Sequence, residues 1–185
     1  MFITEKINSV FRSTIFASII AAILLILLFS PKQASAYGIS YDENGVMIRL
    51  AKEVEEAIDG GISLTFECEF AHIERFLFFA WPEKIKRHRF VVTRHALSSR
   101  YLVHQKGQLA PRIFSSKNES LNFIANQSMD LFLKYHTQDR QSGKQSREMR
   151  LRLSKTELPA PLRLSAFITK EWDLDSGWKA WESAR

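Results

Sequence analysis

Several groups of residues in this 185-residue chain have types and spacings that could do chemistry. Lys84, Lys86, Arg87, His88, Arg89, Arg94 and His95 crowd one short stretch, and Arg147, Arg150, Arg152 and Lys155 form a second basic group. On a strand, Arg87 and Arg89 share a face opposite His88 and Phe90. Cations placed this way either line a solvated face or hold an anion, such as a phospholipid headgroup, an envelope polysaccharide or an acidic protein. Trp172, Trp178 and Trp181 lie within ten residues of one another. They either clamp this part of the chain onto a core or present an aromatic platform to a protein or glycan. The candidate binding residues are therefore Arg87, Arg89, Arg94, Arg150, Arg152, Trp172, Trp178 and Trp181.

Other chemistry finds less support. His72, His88, His95, His104 and His136 are scattered, without His-Glu-x-x-His or paired-cysteine spacing, so no metal is expected. His72 and Glu74 share a strand face, but two side chains do not make a site. Asp173-Leu174-Asp175-Ser176-Gly177 starts like a calcium loop, yet its glycine comes one residue early and no glutamate closes it. A turn closed by aspartate and serine side chains is the better reading. No Gly-x-Ser-x-Gly elbow occurs, so no catalytic residue is named and no cofactor is expected. A glycosidase-type carboxylate pair stays open, because its partners need not be close in the chain.

The elements that must position these residues are mostly strands. Tyr37, Ile39 and Tyr41 alternate with small residues before the Asn44-Gly45 turn, and Val46, Ile48 and Leu50 continue beyond it. Ala51 to Asp59 has helical spacing and stops at Gly60-Gly61. Ile62 to Phe70 alternates strictly. Cys68, the only cysteine, falls on its apolar side and is expected to be a buried thiol. Ile73 to Trp81 reads as a strand apolar on both faces, followed by strands at Arg87–His95 and Ser99–His104. Ser116 and Glu119 have capping-box spacing ahead of a short helix ending near Gln127. Leu131 to His136, Met149 to Leu153 and Leu162 to Ile168 read as further strands, with Pro159 and Pro161 forcing an extended path. The sum is a mainly β, α+β domain: an antiparallel β-sandwich-like arrangement with two short helices.

Leu158-Pro159-Ala160-Pro161-Leu162-Arg163-Leu164, followed by Trp172-Asp173-Leu174-Asp175-Ser176-Gly177-Trp178, resembles a domain-of-unknown-function family of proteobacterial exported proteins. Gly61 to Phe66, Ala96 to Val103 and Arg150 to Leu153 are similar to the same family's pattern. The likeness runs roughly from Ala51 to Trp181. The chain departs from the pattern at Arg94, where the family has an aromatic. The resemblance carries no catalytic residues; what it implies is a part in envelope sensing.

The family's exported character fits the chain's first residues. Ile15 to Phe29 is an unbroken run of fifteen mostly apolar residues, preceded by Lys6 and Arg12. As a helix it would span roughly 22 Å, against about 30 Å of hydrocarbon. Pro31 ends the run, and Ala34-Ser35-Ala36 offers the small-x-small pattern of a cleavage site. Residues 1–36 are thus expected to be a signal peptide cleaved after Ala36, or an inner-membrane anchor. Residues 37–185 would form one periplasmic domain, with a net charge of +4 once the leader's Glu5, Lys6, Arg12 and Lys32 are set aside from the chain's +6. The function expected is a non-catalytic binding or adaptor module for a protein or anionic envelope component, with an anionic membrane surface among its partners and nucleic acid excluded. An envelope hydrolase acting on cell-wall material is the alternative.

Overall fold

In the computed structural model of this protein, residues 37–42, 45–76, 79–138 and 146–180 are described. The expected leader, part of the first turn and Trp181 lie outside them.

The strict alternation of Leu64, Phe66, Cys68 and Phe70 builds the centre of the fold. These side chains face a core on one side of strand β3 (Leu64–Phe76), while Glu67 and Glu69 face the other side. β3 pairs antiparallel with β4 (Phe79–Arg94) on one flank and with β7 (Ser146–Leu153) on the other. Beyond β4 come β5 (Tyr101–Gln105) and β6 (Arg112–Phe114), and beyond β7 the two-residue β8 (Lys179–Ala180). This gives a six-stranded antiparallel sheet in the order β6-β5-β4-β3-β7-β8. A separate hairpin pairs β1 (Gly38–Asp42) with β2 (Gly45–Arg49).

The stretch expected to be one strand, Ile73 to Trp81, is instead the two arms of a hairpin, with Phe76 paired to Phe79. Continuous hydrophobicity did not mark the reversal. Further along β4 the register shifts by one residue between Phe70 and His72, and Lys84 takes a positive φ of 49° where the extra residue is absorbed.

Helix α1 (Lys52–Asp59) buries Val54 and Ile58 and ends at Gly60, with Gly61 at a φ of 88°. Helix α2 (Lys117–Gln138) starts at the capping box. Ser116 Oγ accepts from the Glu119 amide at 3.2 Å, and the Glu119 carboxylate accepts from the Ser115 amide at 3.1 Å. The helix is 22 residues long and runs straight through Leu131–His136, which the sequence by itself reads as a strand. Its buried residues Ser120, Leu121, Ile124, Ala125, Ser128, Phe132 and Tyr135 lie on one face, related by steps of three and four, and no Gly or Pro interrupts them. Phe132 and Tyr135 bring their rings within 5.7 and 5.6 Å of Phe70. Truncating Phe70 would cost about 3–5 kcal/mol.

Leu162–Ile168 is also helical, not a strand: α3 spans Ala160–Ile168. Pro159 sits extended at its cap and Pro161 lies in the first turn, where a missing amide proton costs nothing. The described residues therefore hold three helices, one of them long, where two short ones were expected. The fold is α+β. The core beneath the sheet is closed by helices and the small hairpin, because the apolar faces of α2 and of β2 meet it there. The second large sheet that a sandwich requires is not among the described residues.

Cys68 is fully buried in this core, and burial pushes its thiol up to about 12. The segment after α3 passes through Trp172, which is buried, to Leu174 and Ser176, which bond to the free edge of β7. The Leu153 amide donates to the Leu174 carbonyl at 2.8 Å, and the Ser176 amide to the Leu151 carbonyl at 3.0 Å.

Candidate functional site

The sheet register decides what the basic residues do. Glu67 lies opposite Arg89 on β4 and Arg152 on β7, and Glu69 lies opposite Arg87 and Arg150. All six therefore occupy the sheet face turned away from the core. Two acids on the middle strand are flanked on each side by two arginines. Glu67 accepts from Arg89 Nε at 3.0 Å and from an Arg152 Nη at 2.8 Å. Glu69 accepts from Arg87 Nε at 2.8 Å, with an Arg87 Nη at 2.6 Å and an Arg152 Nη at 3.3 Å. Both carboxylates are covered, with side chains only 3–4% exposed, while the arginines stay about a third exposed. The hydrogen bond to Glu69 raises the pKa of Arg87, because the carboxylate favours the charged guanidinium.

Arg150 bonds Asp175 instead, through both Nε and an Nη. Asp175 is pushed up by its burial, but the Arg150 hydrogen bond, the Gly177 amide and the charges of Arg150 and Arg152 outweigh this and hold its carboxyl below the usual range. Arg89 also reaches Glu157 at 3.7 Å, and Lys155 reaches Asp173 at 3.1 Å. Beside this pair lies a recess of about 320 Å³, lined by Arg150, Arg152, Lys155, Asp173 and Asp175 among others. Every cation named here has a carboxylate partner. An anion arriving at this face must displace one.

The Asp175–Gly177 turn forms as its sequence suggests. Asp175 accepts from the Gly177 amide at 2.9 Å, and Gly177 has a φ of 64°. Ser176 Oγ accepts from the Leu151 amide and from Tyr41 Oη, each at 2.9 Å, and donates to the Gly177 carbonyl at 2.8 Å. Burial pushes Tyr41 up to about 12. The turn thus ties β1, β7 and the C-terminal segment together.

The remaining candidates do not join the arginine group. Arg94 lies at the far end of β4, where its Nη1 donates to the Asp59 carbonyl at 2.9 Å. Asp59 is held below the usual carboxylate range, first by the 2.5 Å hydrogen bond from Tyr101, which outweighs the opposing effect of burial, and then by Lys117. Trp172 is buried and Trp178 half-buried. Trp181 lies outside the described residues. His95 Nδ1 receives the Ser98 amide at 3.3 Å and lies 3.1 Å from Ser98 Oγ, which closes an exposed turn. Among the described residues, no group of three or more His, Cys, Asp or Glu is placed to hold a metal ion.

Two further surfaces are more open. One is α3, whose Leu164, Phe167 and Ile168 are exposed at i, i+3 and i+4 spacing. Alongside it, between α1 and α3, lies a largely apolar groove of about 530 Å³ lined by Ala57, Ile62, Pro159, Pro161, Leu162 and Trp172, with Glu53 and Glu56 at its margin. The other is the β5–β6 edge, where Leu97 and Leu109 are almost wholly in solvent and Ile113 is 59% exposed. Both escaped the sequence reading. The α3 surface was hidden by taking the segment for a strand. The edge had a countable signal: residues 84–118 contain nine Lys and Arg and no Asp or Glu.

The described residues thus form an antiparallel α+β domain with charge-matched arginines on its open face and exposed apolar side chains at its margins. Residues 39–182 match the DUF4390 family, a domain of unknown function, and the chain belongs to it. No curated protein and no solved structure matches the chain.

Proposed function

We propose that this protein is an exported, non-catalytic binding or adaptor module of the cell envelope, working in the periplasm or from the inner membrane, with a link to envelope sensing. The observation that carries the binding reading is α3. A nine-residue helix that turns Leu164, Phe167 and Ile168 into solvent, next to an apolar groove floored by Trp172, leaves apolar area that water does not favour. Soluble domains seldom leave such a stripe open unless something covers it, and a groove rimmed by Glu53 and Glu56 suits a partner segment with apolar anchors and a basic flank. Trp172 serves both as a clamp on the core and as the groove's wall.

A photo-crosslinking residue placed at Leu164 or Phe167 tests this in intact cells. One discrete crosslinked protein, lost when Leu162→Asp fills the groove with charge, supports the reading. No product from either position overturns it. Fractionation tests the location: full-length chain, leader intact, recovered from the soluble cytosolic pool would remove the export part of the proposal.

A further inference from the structure

The β5–β6 edge has what the arginine-rich sheet centre lacks: cations without carboxylates. Of the nine basic residues in 84–118, Arg87 and Arg89 are matched by Glu67 and Glu69, and Lys117 by Glu55 and Asp59. Among the described residues, no carboxylate lies within ion-pair distance of Arg100, Lys106 or Arg112. Arg112 stacks on the Phe123 ring at 4.8 Å, which leaves its charge in place. Interleaved with these cations are the exposed side chains of Leu97, Leu109 and Ile113.

The leucines stand on hydrogen-bonded turns. In the first turn the His95 amide donates to the Arg100 carbonyl at 2.8 Å and the Ser99 amide to the His95 carbonyl at 2.9 Å, with Ser99 at a φ of 53°. In the second the Gln108 amide donates to the Gln105 carbonyl at 3.0 Å, and the Gln108 side chain to that of Gln105 at 2.8 Å. The Lys106 amide is fixed to the Arg89 carbonyl at 3.0 Å. The two turns leave opposite ends of the five-residue β5, so the leucines bracket a strip roughly 17 Å long with Ile113 between them.

We infer that this edge docks on the surface of an anionic phospholipid bilayer, with Arg100, Lys106 and Arg112 at headgroup level and Leu97, Leu109 and Ile113 entering the acyl boundary. Resting on the binding-module reading above, this names a second partner at a second surface. Charge complementarity favours lipid. A phosphate-rich nucleic acid would use the cations but not the aliphatic tips, whereas a bilayer interface takes both at once. Chain length is compatible with it: the apolar run Ile15–Phe29 ends eight residues before Tyr37, a stretch that reaches at most about 30 Å, so a lipid-inserted run would keep a tether that short. At that distance a weak contact suffices, because tethering raises the effective concentration.

The test uses the full chain reconstituted in vesicles, with Leu109→Cys carrying an environment-sensitive fluorophore. Cys68 is fully buried, so the introduced thiol is the one that reacts. The expected result is a blue shift on vesicles containing phosphatidylglycerol and none on phosphatidylcholine. About 0.5 M salt should reverse the shift, since screening then acts within a few ångströms. Each cation is worth about five-fold, so R100Q/K106Q/R112Q should weaken the contact about a hundred-fold and abolish the shift. Should that triple variant fail to fold, as read by its circular dichroism, R100Q alone and the salt titration carry the test. An identical emission on both lipids, or a shift that survives neutralisation and salt, overturns the inference. A probe at Phe167→Cys should stay in water on both vesicles. If it moves and the Leu109 probe does not, the edge is wrong while the module still binds through α3; loss of the α3 crosslink with an intact Leu109 shift would fail the other reading alone.

Discussion

Arginines at the centre of the sheet and at its β5–β6 edge meet opposite surroundings. In the middle, Arg87, Arg89 and Arg152 converge on Glu67 and Glu69, whose side chains are almost fully covered. At the edge, Arg100, Lys106 and Arg112 lie in turns and a short strand beside exposed Leu97, Leu109 and Ile113, with Arg112 over the Phe123 ring. The first arrangement is neutralised within the fold; in the second, the described residues place no carboxylate within ion-pair distance. The difference teaches that a basic run in sequence is not a basic surface until the acids that face it have been counted.

The comparison breaks most decisively at the buried acids. Replacing both, E67Q with E69Q, leaves guanidinium groups crowded together without counter-charge. The expected loss is about 3 kcal/mol, from the upper range for breaking a buried pair discounted for arginines a third exposed, read as a lower urea midpoint. If the variant still folds, its sheet centre should become a true anion site, shown by elution from a sulfated resin at higher salt than the wild type requires. A loss below about 0.5 kcal/mol would mean the centre is an ordinary solvated face.

A smaller effect is expected at the margin of that centre. D175N removes the partner of Arg150 and weakens the acceptor for the Gly177 amide, so a cost of about 1–2 kcal/mol should appear in the same melt. Acid provides a variant-free version. The folded-state pKa of Asp175 lies below its ordinary 3.8, so the stability it contributes is present above that value and is lost as pH falls through the depressed one. The urea midpoint should therefore drop between about pH 5 and pH 2, and D175N should drop less. Asp59, depressed by Tyr101 and Lys117, adds to the trend with the same sign.

The smallest stability effect belongs to the edge. R100Q and K106Q should each stay within about 0.5 kcal/mol of wild type, and R112Q, which gives up its stacking on Phe123, within about 1 kcal/mol. A large destabilisation from any one of them would erase the distinction between the two regions.

Much of the architecture was legible because local patterns agreed with the fold. β3's alternation, the capping box at Ser116 and Glu119, the Gly60–Gly61 stop and the buried Cys68 all follow from periods and cap chemistry that act over a few residues. Two segments misled. Leu131–His136 is a short, mostly apolar run that reads as a strand by itself, yet it continues a helical stripe set by Ile124 and Ser128 upstream. Leu162–Ile168 alternates, but prolines in a first turn start a helix as readily as they block one. In both, a window of six or seven residues hides the helix that its wider surroundings define. The arginine cluster was legible as a cluster, and Glu67 and Glu69 were visible at matching two-residue spacing; which strand lay beside which was not.

Residue order alone fixed the charge inventory, the acid-free window of residues 84–118, the helix start at the capping box and the family. These depend on composition and nearest neighbours, which the chain carries before it folds. The tertiary structure decided which charges cancel. Setting β3 between β4 and β7 brings residues more than eighty positions apart to 2.8 Å, and ion pairing depends on that distance in space.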